Sequence, residues 1–174
     1  NKMELSAALA AWNSGSCSPC NTTYGPVGTW DVTAVTNFGE LLKDLGSFDE
    51  DLSGWNTSRV TTMHSMFSGA SGFNQPLAID TGSVTNMAHM LYSAGAFNQL
   101  LLFDTARVDS MLSMFASATA FDKFLAFELL FVDLFMNAGR HVAGNLLTEY
   151  VKRELLPHAN ATSMPCADKV VGTK

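Results

Sequence analysis

The feature that most constrains this chain is an internal repeat. Segments beginning at Trp30, Trp55, Ile79 and Phe103 align in register as WDVTAVTNFGELLKDLGSFDEDLSG, WNTSRVTTMHSMFSGASGFNQPLA, IDTGSVTNMAHMLYSAGAFNQLLL and FDTARVDSMLSMFASATAFDKFLA. The first has 25 residues and the others 24 each, and the second and third agree at 10 of 24 positions. Self-similarity at a fixed period marks stacked architectures, because one such unit cannot bury its apolar face alone. Ordering a unit of this length costs more entropy than its few large apolar side chains return on burial, so stability has to come from neighbouring units and from caps at the two ends.

The columns of the alignment show which side chains are shared. An aromatic residue or Ile opens each unit, followed by Asp31, Asn56, Asp80 and Asp104. The apolar columns are Val35, Val60, Val84, Val108; Phe38, Met63, Met87, Met111; Leu41, Met66, Met90, Met114; Leu42, Phe67, Leu91, Phe115; and Phe48, Phe73, Phe97, Phe121. These point into a common interior, with the methionines as adaptable core filler. The short Asp and Asn columns suit coil corners, where their side chains bond to backbone groups. The predicted fold is α/β: a short leucine-rich-repeat-like solenoid of about 24-residue coils with helical N- and C-terminal caps. Each coil is expected to carry a short strand near V-T-x-M. A short helix over M-x-x-M-F-x-x-A follows, where apolar residues fall at i, i+3, i+4 and i+7.

Residues 1–29 read as an N-terminal helical cap and loop, with MELSAALAAW helical and free of Gly and Pro. Residues 30–126 hold four repeats, 127–156 a degenerate fifth repeat and C-terminal cap helix, and 157–174 an irregular tail. In the degenerate part, Leu134-Phe135 echoes Met66-Phe67 but arrives 20 residues after Phe115, as if four residues were deleted. VAGNLLTEYVKREL, residues 142–155, carries an amphipathic helical pattern that Pro157 stops.

The repeat W-[DN]-x-[ST]-x-V-T-x-M-x-x-M-F-x-x-A-x-x-F-N-Q-x-L, clearest over Trp55–Leu77, resembles the BspA-like leucine-rich repeat family of bacterial, mycoplasma and protist surface proteins. The helix followed by Tyr24-Gly25-Pro26-Val27 and Trp30-Asp31-Val32 also fits the start of such domains. The resemblance covers about residues 3–126 and leaves the last 48 residues outside it. It implies a secreted or surface-attached protein engaged in adhesion or protein contact, with no shared catalytic site. A fold shared with a family carries function only weakly.

The formal net charge is −6, and residues 1–54 hold two Lys against seven acids. No basic patch is present to neutralise phosphates, so nucleic acid is not an expected partner. No uninterrupted run reaches the length of a membrane-spanning helix; Glu128 and Asp133 interrupt Phe124–Met136. The chain opens at Asn1 without a signal-peptide pattern, which is read as processing or truncation of a precursor. Asp49-Glu50-Asp51 lacks calcium-loop spacing and reads as a solvated turn.

Cys17-Ser18-Pro19-Cys20 is open to three readings: a local disulfide in an oxidising compartment, a redox pair, or half a zinc site. No second C-x-x-C and no βαβ context completes the last two, so the disulfide leads, and Cys166 leaves an odd count. Asn21 and Asn160 are candidate N-glycosylation sites; Asn56 also stands in a sequon but occupies the corner column. The four His form no constellation, and no nucleophile elbow, H-E-x-x-H or phosphate loop appears, so neither an enzyme nor a cofactor is expected. The candidate partner-binding residues are Arg59, Ser83 and Arg107, which precede the Val column in successive coils, with Phe131 and Phe135 in the apolar C-terminal region. The two arginines, flanking Ser83, suit an acidic protein partner or a glycan.

Two functions follow as expectations. One is a non-catalytic binding or adhesion module, secreted or at the cell surface. The other is a structural accessory subunit of a larger assembly, membrane-associated or lumenal, in an alga or other protist. Low surface charge and the apolar Phe124–Met136 region favour the second; the sequons, the C-x-x-C and the resemblance favour the first.

Overall fold

The computed structural model describes residues 1–16 and 24–123. Cys17, Cys20 and Asn21, and at the other end Phe131, Phe135, Asn160, Cys166 and the helix expected over residues 142–155, lie outside the described residues.

The described chain opens with helix α1, Lys2–Asn13. Leu, Ala and Glu favour this conformation, and no Gly or Pro interrupts it. Its start is fixed reciprocally: the Asn1 side chain accepts from the backbone N–H groups of Met3 and Glu4, and the Glu4 side chain accepts from the Asn1 backbone. Helix α1 packs across the segment that begins at Trp30. Lys2 Nζ donates to Asn37 Oδ1 at 3.4 Å, Trp12 Nε1 to Glu50 Oε1 at 3.1 Å, and Ser47 Oγ to Asn13 Oδ1 at 2.9 Å. Leu9 of this helix is fully buried. A single 3-10 turn, Val27–Thr29, leads into Trp30.

From Asn37 onward, residues about 24 positions apart meet through parallel bridges: Asn37 with Thr62, Thr62 with Asn86, and Asn86 with Ser110. Four alternate N–H groups in each segment then donate to carbonyls of the segment that follows. Phe38, Glu40, Leu42 and Asp44 donate to Thr62, His64, Met66 and Ser68 at 2.8–2.9 Å. Met63, Ser65, Phe67 and Gly69 donate to Asn86, Ala88, Met90 and Tyr92, and Met87, His89, Leu91 and Ser93 to Ser110, Leu112, Met114 and Ala116.

The stretch expected to form a short helix in each segment does not. Its intervening N–H groups bond three residues back, as in Met66 to Met63, Ser68 to Ser65 and Ala70 to Phe67. Two residues per segment take positive φ: Glu40 and Asp44, Ser65 and Gly69, His89 and Ser93, Ser113 and Ser117. A left-handed residue every four positions breaks an α-helix, and half of the donors are committed to the neighbouring segment. Linked turns place apolar residues on the interior at the same spacing that a helix would.

The interior is continuous. Phe38, Met63 and Met87, Leu41, Met66, Met90 and Met114, Leu42, Phe67, Leu91 and Phe115, and Phe48, Phe73, Phe97 and Phe121 are all buried in one cluster, with Val108 partly buried against it. The last column stacks as rings: Phe48 on Phe73, Phe73 on Phe97 and Phe97 on Phe121, with centroids 6.3, 6.0 and 6.0 Å apart.

The Asp and Asn columns hold corners in two ways. Asp31, Asn56, Asp80 and Asp104 each accept from a backbone N–H two residues on, belonging to Thr33, Ser58, Gly82 and Ala106. Asp49, Asn74 and Asn98 instead reach across segments, accepting from the backbone N–H groups of Asn74, Asn98 and Asp122 at 2.8, 2.9 and 3.1 Å. No helix among the described residues is long and apolar enough to cross a membrane.

Candidate functional site

The outward face is built on a turn that recurs in each segment. The N–H of Val35 bonds to Val32 O, that of Val60 to Thr57 O, that of Val84 to Thr81 O and that of Val108 to Thr105 O, at 2.9–3.0 Å. The third positions of these turns are Ala34, Arg59, Ser83 and Arg107. Arg59 and Arg107 are exposed and Ser83 is half-buried. Neither arginine enters an ion pair among the described residues, whose ion pairs are Asn1–Glu4, Lys43–Glu40 and Lys123–Asp122. Beneath the turns, buried Thr57 and Thr81 donate from Oγ1 to the carbonyls of Asp80 and Asp104 at 2.8 and 3.0 Å. Those bonds tie the base of one turn to the next segment and hold the outward positions on a fixed frame.

A second feature was not legible as a site in the sequence. Helix α1 and the segment start at Trp30 enclose a groove of about 530 Å³, lined by Asn1, Glu4, Leu5 and Ala8 on one wall and by residues including Tyr24, Trp30, Asp31 and Val35 on the other. Trp30 heads a column whose later members Trp55, Ile79 and Phe103 are buried, but it is itself only partly buried. Its ring is held by a bond from Nε1 to Gly25 O at 3.2 Å and by an edge contact with Trp12 at 5.8 Å. Tyr24 is 64% exposed. The signal available in the sequence was position: the first member of a stacked column has no preceding repeat to cover it.

Asp31 carries the charge on the Trp30 side. Its Oδ1 accepts from both the Thr33 hydroxyl, at 2.6 Å, and the Thr33 backbone, at 3.0 Å. These bonds hold its carboxyl below the ordinary carboxylate range, the hydroxyl bond contributing most. The Lys43 ammonium donates to Glu40 at 3.0 Å, which lowers the Glu40 carboxyl and raises Lys43.

Other candidates do not assemble. His64 lies beside Gly39 with Nδ1 3.4 Å from Thr62 Oγ1, whereas His89 packs edge-on against Tyr92. Among the described residues no group of three or more His, Cys, Asp or Glu is placed to hold a metal ion. In the Asp49-Glu50-Asp51 run each carboxylate already accepts from a protein donor, belonging respectively to Asn74, Trp12 and Ser53.

A family model described as "Mycoplasma protein of unknown function, DUF285" matches residues 13–127. No curated protein and no solved structure matches the chain.

Proposed function

The chain belongs to the family described as Mycoplasma protein of unknown function, DUF285, and from that premise we propose that it is a non-catalytic module that binds protein or glycan, secreted or held at a cell surface. The BspA-like resemblance of the repeat supports the surface setting, and the reading takes the fold to be a short solenoid of about 24-residue coils. Supporting that fold are the parallel bridges and the bonds between residues about 24 positions apart.

One observation carries the functional reading. The same backbone turn presents Ala34, Arg59, Ser83 and Arg107 on successive segments, over a mostly apolar interior in which buried Thr57 and Thr81 are hydrogen-bonded. An unchanging frame that displays different outward side chains is what a recognition surface requires, because specificity comes from the side chains and pre-organisation from the frame. The test is binding of the labelled full chain to intact cells. Saturable binding that weakens when Arg59 and Arg107 are both changed to Ala supports the reading; binding that neither saturates nor responds to the pair refutes it.

A second reading, a structural subunit of a larger assembly, is favoured by exposed apolar side chains: Leu102 is 74% exposed and Leu100 is 54% exposed. Monomeric soluble proteins keep contiguous apolar patches small. The native mass of the protein purified from its own cells separates the two readings. A fixed-stoichiometry complex selects the subunit, and a free monomer selects the module.

A further inference from the structure

We infer that Asn56 is an acceptor for an N-linked glycan. This rests on the secreted or surface reading, because the sugar is transferred along the secretory route, and it places a covalent site at the corner that leads into the Arg59 turn.

Asn56-Thr57-Ser58 is the one N-x-[ST] sequon among the described residues. The corner column to which Asn56 belongs asks only for a hydrogen-bond acceptor. Its other members, Asp31, Asp80 and Asp104, each accept from the backbone N–H two residues on. Asn56 does this with Oδ1, which accepts from the Ser58 N–H at 3.2 Å and from the Ser58 hydroxyl at 2.8 Å. A backbone N–H bonds only to the oxygen of a side-chain amide, so the oxygen is turned toward the chain and Nδ2 is left outside the turn. Nδ2 has no protein partner among the described residues, and Asn56 and Ser58 are both exposed. The corner uses one end of this amide and presents the other, and the carboxylates elsewhere in the column have no nitrogen to present. Thr57, between them, is buried, and its Oγ1 donates to Asp80 O at 2.8 Å. That anchor keeps Asn56 and Ser58 on the solvent side. The neighbouring corners Asp31 and Asp80 bond to Thr33 and Gly82 of their own segments and do not engage the Asn56 amide. The Asn56 bonds span only two residues, so the turn is available to a nascent chain before the segments stack. The transfer takes its sugar from a polyprenyl-diphosphate-linked oligosaccharide. A bond forms from Nδ2 to the anomeric carbon as the bond from that carbon to the diphosphate oxygen breaks. The oxygen leaves with the bonding pair, one amide proton goes to a base of the transferase, and nothing is oxidised or reduced.

Two substitutions remove the acceptor and leave the corner in place. Asn56→Asp keeps the bonds that Asp31 makes with Thr33 in the preceding segment. Ser58→Ala keeps the backbone bond, as Ala106 does to Asp104. Ser58→Thr retains a hydroxyl, as at Thr33. The full chain is secreted from cultured mammalian cells behind a signal peptide, so that its route is imposed. Tryptic peptide 44–59 contains Asn56 and no other sequon. Mass spectrometry reads it before and after peptide N-glycosidase in heavy-oxygen water, which turns a glycosylated Asn into a labelled Asp.

Peptide 44–59 is expected to carry a glycan that the glycosidase removes, leaving the label at Asn56. The glycan is expected to be lost in Asn56→Asp and in Ser58→Ala and kept in Ser58→Thr, with melting temperatures close to that of the unaltered chain. A bare Asn56 in the secreted chain overturns the inference. So does a glycan that persists in Ser58→Ala, or one that the glycosidase leaves in place, which is O-linked. The same peptide from the protein's own cells tests the routing separately. A bare Asn56 there, beside glycans at Asn21 or Asn160, overturns the inference and leaves the secretory reading standing. If all three sequons are bare there while the secreted chain is modified at Asn56, the acceptor assignment is supported and the secretory reading alone falls.

Discussion

Phe73 and Phe97 stack face to face in the core, with centroids 6.0 Å apart and planes 4° from parallel. Both are fully buried, and each belongs to a different segment. Their contact joins two segments as well as filling space. Phe97→Ala is expected to cost about 3–5 kcal/mol, from lost burial plus the cavity left between Phe73 and Phe121. Urea denaturation followed by tryptophan fluorescence measures it. A midpoint equal to that of the unaltered chain would mean that the ring column does not hold the segments together.

Asn74 links three segments, since its Oδ1 accepts from the Asn98 backbone while its own backbone N–H donates to Asp49 Oδ1. Asn74→Ala is expected to destabilise by about 0.5–1.5 kcal/mol, because the site is exposed and water replaces part of the lost bond. Asn74→Asp should be nearly neutral, since the acceptor survives and Asp49 already fills this role one segment earlier. Thermal melts of the pair test the contrast; equal losses would show that the acceptor is not what matters.

Gly54 has no room for a side chain. A Cβ there would run into the backbone carbonyl of Gly28, and one at Gly28 would meet the backbone carbonyl of Asp51. Backbone cannot swing aside as a flexible side chain can. Gly54→Ala should therefore cost about 1–3 kcal/mol by forcing the two strands of chain apart. The measurement is the melting temperature, with Gly95→Ala, where a Cβ would meet nothing nearer than 3.8 Å, as the comparison. A larger loss at Gly95 than at Gly54 would contradict the packing argument.

Acid should loosen this structure. Asp31, Asp51 and Asp122 are held below their ordinary range by hydrogen bonds, from Thr33, Ser53 and Lys123 foremost, and Glu40 by Lys43. A carboxyl whose folded pKa is depressed contributes stability above its unfolded pKa and loses it as pH falls through the folded value. The melting temperature is expected to drop on acidification below about pH 4, the ordinary carboxylate range. Because these groups are exposed, each contribution is small. Asp31→Asn with Asp51→Asn should flatten the drop, and an unaltered acid limb in that variant would refute the assignment.

The interior was legible in the sequence because apolar columns at a fixed offset leave few other interpretations. Phe48, Phe73, Phe97 and Phe121 were placed together by spacing alone, and α1 by the helix-forming run MELSAALAAW. The local conformation between those columns was less legible. Apolar residues at Met63, Met66, Phe67 and Ala70 satisfy a helix and a chain of linked turns equally well, and the difference lies in where the alternate N–H groups go. Those partners sit in another segment, which local periodicity does not report. The short polar residues and glycine at most of the left-handed positions, Asp44, Ser65, Gly69, Ser93, Ser113 and Ser117, were the available hint. Arg59, Ser83 and Arg107 were found from their shared column and do occupy equivalent turns. The groove was not found, because its two walls meet only once α1 has docked.

Within the linked turns the donor ladder runs one way, while Thr61, Thr85 and Asp109 donate back to the preceding segment at the same place in each junction. In three successive segments the alternate N–H groups all point toward the following segment, and that segment's carbonyls receive them in the same pattern. Every internal junction is therefore chemically the same plug and the same socket, oriented alike. Such a chain can change length by whole units: duplicating residues 79–102 in tandem would present an unaltered junction on both sides. For a lineage, this turns surface area into a quantity adjustable by unequal crossing-over, with the ends left intact.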